Sequence, residues 1–342
     1  MKPVSRRDFL RAGGVLVAGA AAAACTPGTP TPHSANSGGH GMPLGTAGAA
    51  MPGTVGEVDH TRNGFNPTEV LTDFDYGSVS KLPDGRTLRE WEIVSYNKSI
   101  EIVPGIEFPA WTFNGRIPGP TLRCTEGDRL RITFKNGSDH PHTMHFHGFH
   151  AAGMDGVPPE GLVEPGGQFV YEFDAGPFGL HLYHCHAFPL ARHIAKGLYG
   201  AFIVDPPNGR PAVDREMVMV MSGVDVDFDD INDFYAVNGI PFHYQNHPIQ
   251  IRVGETVRIF LVNILEFDLI NSFHLHANFF QYYPTGTSLA PAEFTDTIIQ
   301  GQAQRGILEF TYAEPGMYMF HAHVTEFAEL GWTGMFEVLP RE

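Results

Sequence analysis

The sequence predicts an all-β chain built from two Greek-key β-sandwich domains. Three observations carry this expectation: short alternating runs of apolar and polar residues, frequent turn formers (39 Gly and 27 Pro in 342 residues), and one strand framework that occurs twice. No long stretch with helical period competes with it. A chain of this length exceeds one ordinary domain, and two repeats account for it. The formal charge of −16 argues against nucleic acid or anionic membrane as partners, because both demand clustered Lys and Arg.

The first element is Ser5-Arg6-Arg7-Asp8-Phe9-Leu10, followed by a Gly/Ala-rich apolar run from Val15 to Ala24 that is too short to span a membrane. Residues 1–25 therefore read as a twin-arginine export signal, which places the mature protein in the periplasm, at the cell surface or outside the cell. Cys25 follows Ala22-Ala23-Ala24 and is a candidate for lipid attachment, although the Leu usual three positions earlier is absent. Residues 26–60 are rich in Pro, Gly, Ser, Thr and Ala and read as a flexible tether. From Thr61 to Gly85 enough Phe, Leu and Tyr occur to pack as an arm on the folded body, so that 26–85 form linker and arm. Three cysteines, Cys25, Cys124 and Cys185, give an odd count with no framework spacing, and disulfides do not organise this chain. Cys124 reads as a buried small apolar residue.

The repeated units follow, 86–207 and 208–342. Phe113-Asn114-Gly115 returns as Val237-Asn238-Gly239, Gly127-Asp128 as Gly254-Glu255, and Phe134-Lys135-Asn136 as Leu261-Val262-Asn263. His145-Phe146-His147 matches His274-Leu275-His276, and His184-Cys185-His186 matches His321-Ala322-His323. Glu172-Phe173 precedes His184 as Glu309-Phe310 precedes His321, and each unit closes on Gly-x-Phe-x-Val-x-Pro, Gly200 to Pro206 and Gly334 to Pro340.

Successive side chains of a strand point to opposite faces. His184 and His186 therefore share one face with His145 and His147, while Cys185 lies on the other with His142. His142, Cys185 and His193 supply two imidazoles and a thiolate, the donor set of a trigonal blue-copper centre. The weak axial position a few residues on falls at Leu198, which cannot coordinate and should raise the reduction potential. His145, His147, His184 and His186 form one set of four imidazoles, and His274, His276, His321 and His323 form a second at repeat-equivalent positions. The second unit has Asn271 where the first has His142, and Ala322 where it has Cys185. It keeps the paired histidines and loses the thiolate site. Of the remaining histidines, His33 and His40 lie in the tether and read as incidental, while His60, His140, His150, His181, His243 and His247 read as satisfied core or surface residues.

These motifs resemble the multicopper oxidases, in particular the two-domain laccase-like branch with its blue copper in the first cupredoxin-like domain. The stretch Trp111 to Pro120 and the four histidine motifs carry the resemblance, which covers roughly Arg86 to Glu342. It implies that His145 and His274 hold the type 2 copper, and that His147, His184, His186, His276, His321 and His323 hold the type 3 pair. About four copper ions per chain follow, one type 1, one type 2 and two type 3.

The expected activity is one-electron oxidation of a small reducing substrate, a phenol or a low-valent metal ion, coupled to four-electron reduction of dioxygen to water. Asp155 and Glu326 are candidate proton relays. The wider gap between Cys185 and His193 resembles copper nitrite reductases, the alternative, although those enzymes carry Asp where this chain has His145. A non-catalytic copper store or carrier is the third reading. Each unit offers half of a cluster, and the resemblance implies a homotrimer with clusters between chains.

Overall fold

A computed structural model of the chain describes residues 56–341. The twin-arginine signal, Cys25 and the tether as far as residue 55 lie outside the described residues. No helix among the described residues is long and apolar enough to cross a membrane.

Every strand up to Asp205 belongs to one of two facing sheets. The first runs Phe74–Asp75, Thr121–Thr125, Tyr199–Asp205, Gly179–His184 and His145–Phe146, edge to edge. The second runs Ser78–Lys81, Thr87–Val103, Arg129–Asn136 and Gln168–Asp174, with Ile106–Phe113 folded back on Thr87–Val103. Arg129–Asn136 alternates strictly, burying Leu130, Ile132, Phe134 and Asn136, as expected for a strand with one face on a core. Phe146 meets Tyr171 and Phe173 across the gap, at ring-centroid distances of 5.7 and 5.3 Å, and joins the two sheets into a sandwich.

Every strand from Arg215 onward belongs to a second such pair of sheets. One runs Phe234–Val237, Arg215–Val224, Thr256–Asn263, Arg305–Thr311, Phe280–Pro284 and Glu293–Thr295. The other runs Ile249–Arg252, Thr333–Leu339, Gly316–His321, Ile270–Leu275 and Thr297–Gly301. Phe273–Phe280 and Phe310–Phe336 contacts close this core. Parallel pairing of Thr121–Thr125 with Tyr199–Asp205, and of Ile249–Arg252 with Thr333–Leu339, gives both sandwiches the crossed connections of a Greek key.

The repeated residues do repeated work. Asn114 and Asn238 both take the left-handed conformation, φ 52° and 55°, and accept a backbone N–H from Val94 and Val220 respectively. Asn136 and Asn263 end equivalent strands and donate to the carbonyls of Val163 and Gln300. Glu172 and Glu309 accept from Arg131 and Arg258 on the neighbouring strand.

Between the sandwiches lies a partly buried ionic network. Arg123 grips Asp205 with two hydrogen bonds (2.7 and 3.1 Å) and Glu216 with a third at 2.6 Å. Glu216 passes on to Arg258 at 2.8 Å, and Arg305 of the second sandwich donates to the Leu180 carbonyl of the first at 2.9 Å. The arm crosses the same junction. Phe74 pairs with Thr121 in the first sandwich and meets the Phe260 ring in the second, while the Leu71 carbonyl accepts from Val218.

Candidate metal centres

Strand His145–Phe146 pairs with Gly179–His184 so that His145 lies directly opposite His184, and His274 lies opposite His321 in the second sandwich. From His184 the chain leaves the sheet, and Cys185 is held by its N–H bonding to the Leu198 carbonyl at 2.9 Å. Cys185 Sγ then points away from the paired histidines, 3.2 Å from His193 Nδ1 and 3.8 Å from His142 Nδ1, with the two imidazole nitrogens 3.1 Å apart. All three residues are buried. Burial disfavours charge, lowering His142 to about 3 and His193 to about 4, and raising the Cys185 thiol to about 11. A thiol so raised is deprotonated by a cation at the same point, and the converging S and N donors fit copper. Leu198 is fully buried in the same core. The sulfur of Met154 accepts from Glu172 N at 3.4 Å and is committed there.

Sequence reading did not anticipate the wall around this site. The Trp111 ring meets those of His142 edge-on and His193 at a tilt, at centroid distances of 5.1 and 4.7 Å. Thr143 donates its N–H toward Cys185 Sγ at 3.4 Å while its hydroxyl accepts from His186 N at 2.8 Å. Beside His193 a cavity of about 400 Å³ opens between Trp111, His140, Pro158, Leu162 and Phe188.

The paired histidines form two groups of like geometry. In the first, His147 Nε2 and His184 Nε2 are 3.2 Å apart and the His145 and His186 rings 5.2 Å apart. In the second, His276 Nε2 and His321 Nε2 are 2.9 Å apart and His274 and His323 rings 5.2 Å apart. Outer nitrogens are engaged in matching ways. His184 Nδ1 and His321 Nδ1 bond the carbonyls of Cys185 and Ala322, and His145 Nδ1 and His274 Nδ1 those of Asp155 and Asp296. Such outer partners fix the rings and leave Nε2 for a metal. Burial lowers His147 to about 3 and His184 to about 4, so both stay neutral and able to ligate. Among the described residues no hydrogen bond or ring contact links one group to the other. His276 and His323 are exposed.

Asp155 places Oδ1 3.1 Å from His145 Nδ1. Glu326 is exposed, on the short helix Thr325–Glu329 that follows His323.

In the second sandwich the thiolate site is filled. Ala322 N bonds the Trp332 carbonyl as Cys185 N bonds that of Leu198, and Trp332 N bonds Phe327 O as Leu198 N bonds His193 O. Phe327 thus stands for His193 and Trp332 for Leu198. The fully buried Trp332 indole donates to Asn271 Oδ1 at 3.1 Å, and Tyr235, the counterpart of Trp111, stacks on Phe327.

Sequence profiles described as multicopper oxidase match residues 96–209 and 212–342. The chain belongs to the multicopper oxidase family. Family membership implies copper, which the donor sets fit. A crystal structure of a multicopper oxidase is 62% identical and superposes with a TM-score of 0.82 over 83% of this chain and all of that one. The copper-containing nitrite reductase of Neisseria meningitidis is 30% identical over 246 residues, 66% of this chain and 63% of its own length. Copper resistance protein A of Escherichia coli is 38% identical over 154 residues, 44% of this chain and 25% of its own. This multicopper oxidase chain thus spans somewhat less than two thirds of the length of the nitrite reductase and a quarter of that of the copper resistance protein.

The six remaining histidines among the described residues were expected to be isolated and satisfied. His150 and His181 each bond a carbonyl at 2.8 Å, and His140 bonds Asp139 at 2.6 Å. His60, His243 and His247 depart from that expectation, because the fold brings them together.

Proposed function

We propose that the protein is a laccase-like oxidase that couples one-electron oxidation of a small reducing substrate to reduction of dioxygen to water. Bound copper, about four ions per chain, would supply one-electron steps at the thiolate site and dioxygen reduction at the histidine sites. The observation that carries the reading is the pair of histidine groups, each a close set of three joined by a fourth ring, His186 in one and His323 in the other, the first of which flanks the buried Cys185. Cys185 reaches His184 and His186 through the backbone, and the bond from His184 to the Cys185 carbonyl at 3.0 Å adds a shorter route.

His142, Cys185 and His193 would hold the type 1 ion, with the buried Leu198, which has no donor atom in its side chain, beside them. His145 and His274 would hold type 2, and His147, His184, His186, His276, His321 and His323 the type 3 pair. The cavity beside His193 has apolar walls and the His140 imidazole, suited to a flat phenol. Asp155, in contact with His145, and Glu326 are the proposed carriers of the protons that water formation consumes. Export by the twin-arginine route, with Cys25 as a lipid attachment point, belongs to the same proposal.

The elements that carry the second group, with exposed His276 and His323, also present exposed apolar residues: Phe279 three positions after His276, its ring 5.3 Å from that of Phe294, and Ile299 opposite Ser272 on the strand paired with that of His274. Such a patch favours docking of another chain, and a head-to-tail contact that closes makes a ring, here of three. Nitrite reduction is the second reading, favoured by the Neisseria relatives. Oxygen uptake measured side by side with a phenol, Cu(I), Fe(II) and Mn(II) should yield water without accumulating peroxide. Efficient nitric oxide production from nitrite, without oxygen uptake, would overturn the oxidase reading.

A further inference from the structure

His60 opens the short helix His60–Asn63 of the arm, whereas His243 opens the helix His243–Asn246 of the second sandwich and His247 caps it. The ligand-capable atoms of the three lie within 4.8 Å of one another. Their ring centroids stand 4.9 Å apart for His60 and His243, 4.7 Å for His243 and His247, and 6.1 Å for His60 and His247. The spacing of four residues puts His243 and His247 on one face, toward the arm.

Two features point to a ligand. Nδ1 of His60 is buried with no hydrogen-bond partner, a costly state for a polar atom unless something binds it. His243 is 4% exposed and its Nε2 is tied to Thr68 Oγ1 at 2.8 Å, the kind of outer bond that orients a metal-bound imidazole. The Glu57 carboxylate stands 3.6 Å from His247 Nε2 and brings negative charge to the same spot. Burial lowers His243 to about 3 and also lowers His60, which keeps those imidazoles in the neutral form a cation requires.

We infer that His60, His243 and His247, with Glu57 at hand, form a further site for one divalent ion of the zinc or copper kind, which fastens the arm to the second sandwich. Three imidazoles and a carboxylate suit these borderline ions and disfavour calcium or magnesium. The site stands apart from the redox centres and does not depend on the activity proposed above. Its mechanical setting is already stiff, since Tyr244 donates to the Pro67 carbonyl at 2.7 Å and Asn63 donates to the Glu101 carbonyl at 2.8 Å. An ion there would close a loop between chain segments about 180 residues apart and raise resistance to unfolding of the arm.

The test is titration of the copper-loaded protein with Zn2+, read by calorimetry and by metal content after gel filtration. Wild type should take up one zinc per chain beyond its redox complement, and His247→Gln and His60→Gln should bind it more than about tenfold more weakly. His247 is half-exposed at a helix end, so His247→Gln keeps the fold, and both variants should retain the blue absorption. Zinc should also slow proteolysis of the arm in wild type and not in the variants. An extra copper lost in both variants, with no zinc uptake, supports the site and names copper as its occupant. Equal zinc and copper content in wild type and both variants overturns the inference.

Discussion

At the scale of single residues, the chemistry rests on which side of one strand each donor faces. Cys185→Ser removes the soft ligand while leaving His184 and His186 in place. It should abolish the blue colour, keep the histidine-bound copper, and slow phenol oxidation at least about a thousandfold, roughly 4 kcal/mol of barrier. Metal content and visible absorption check it. Trp332→Ala empties a fully buried site and leaves Asn271 Oδ1 with Ser272 N as its remaining donor, so urea unfolding should show a loss of about 3–5 kcal/mol, chiefly from the cavity, with the blue absorption unchanged. The grouping of Cys185 with His142 was legible because strand parity needs only local spacing, and His193 joined them only as the second imidazole that the donor set requires. Phe327 and Trp332 as stand-ins for His193 and Leu198 were not, since a shorter loop in the second unit breaks the alignment. His60, His243 and His247 were illegible for a different reason: nothing local signals a contact between an arm and a helix so far along the chain.

At the scale of elements, the repeat foretold strands well because turn and end residues recur with them. Asn114 and Asn238 mark the same left-handed turn, and Asn136 and Asn263 the same strand end. Short helices such as Leu190–Ala195, which carries His193, went unread, because six residues give no period to detect. The loop between strands Thr256–Asn263 and Ile270–Leu275 offers a test of burial. Glu266 sits there with its carboxyl raised from 4.5 to about 7 by desolvation. Below 4.5 both folded and unfolded chains hold the proton. As pH rises from 4.5 to 7 the unfolded chain releases it first, so stability falls through that window and stays lower above it. Glu266→Gln should therefore raise stability at pH 8 by about 1–2 kcal/mol, the partial exposure taken into account, and change it little at pH 4. Denaturant midpoints at the two pH values check both halves of the statement.

For the whole molecule, the two histidine groups stand without mutual contact in one chain, and the assembly proposal can be tested by complementation. One variant carries His145→Ala with His184→Ala, the other His274→Ala with His321→Ala. Neither alone should reduce dioxygen. Mixed at equal amounts with subunit exchange, about a quarter of the junctions in a head-to-tail ring should have no altered half, and activity should return in proportion. A monomeric mass with full wild-type activity, or no recovery after proven exchange, would remove the inter-chain arrangement.

The ionic bridge through Arg123, Asp205, Glu216 and Arg258 acquires a further meaning in such a ring. Each subunit then serves as a wedge, and the angle between its two sandwiches sets the curvature of the whole assembly. Closure with three members demands one value of that angle; a slightly different one leaves a gap or a spiral. Buried, multiply hydrogen-bonded charges resist bending because any opening would strand them apart from their partners. A change at Arg123 would therefore be felt far from where it is made, as a mismatch between two half-sites that are each individually intact.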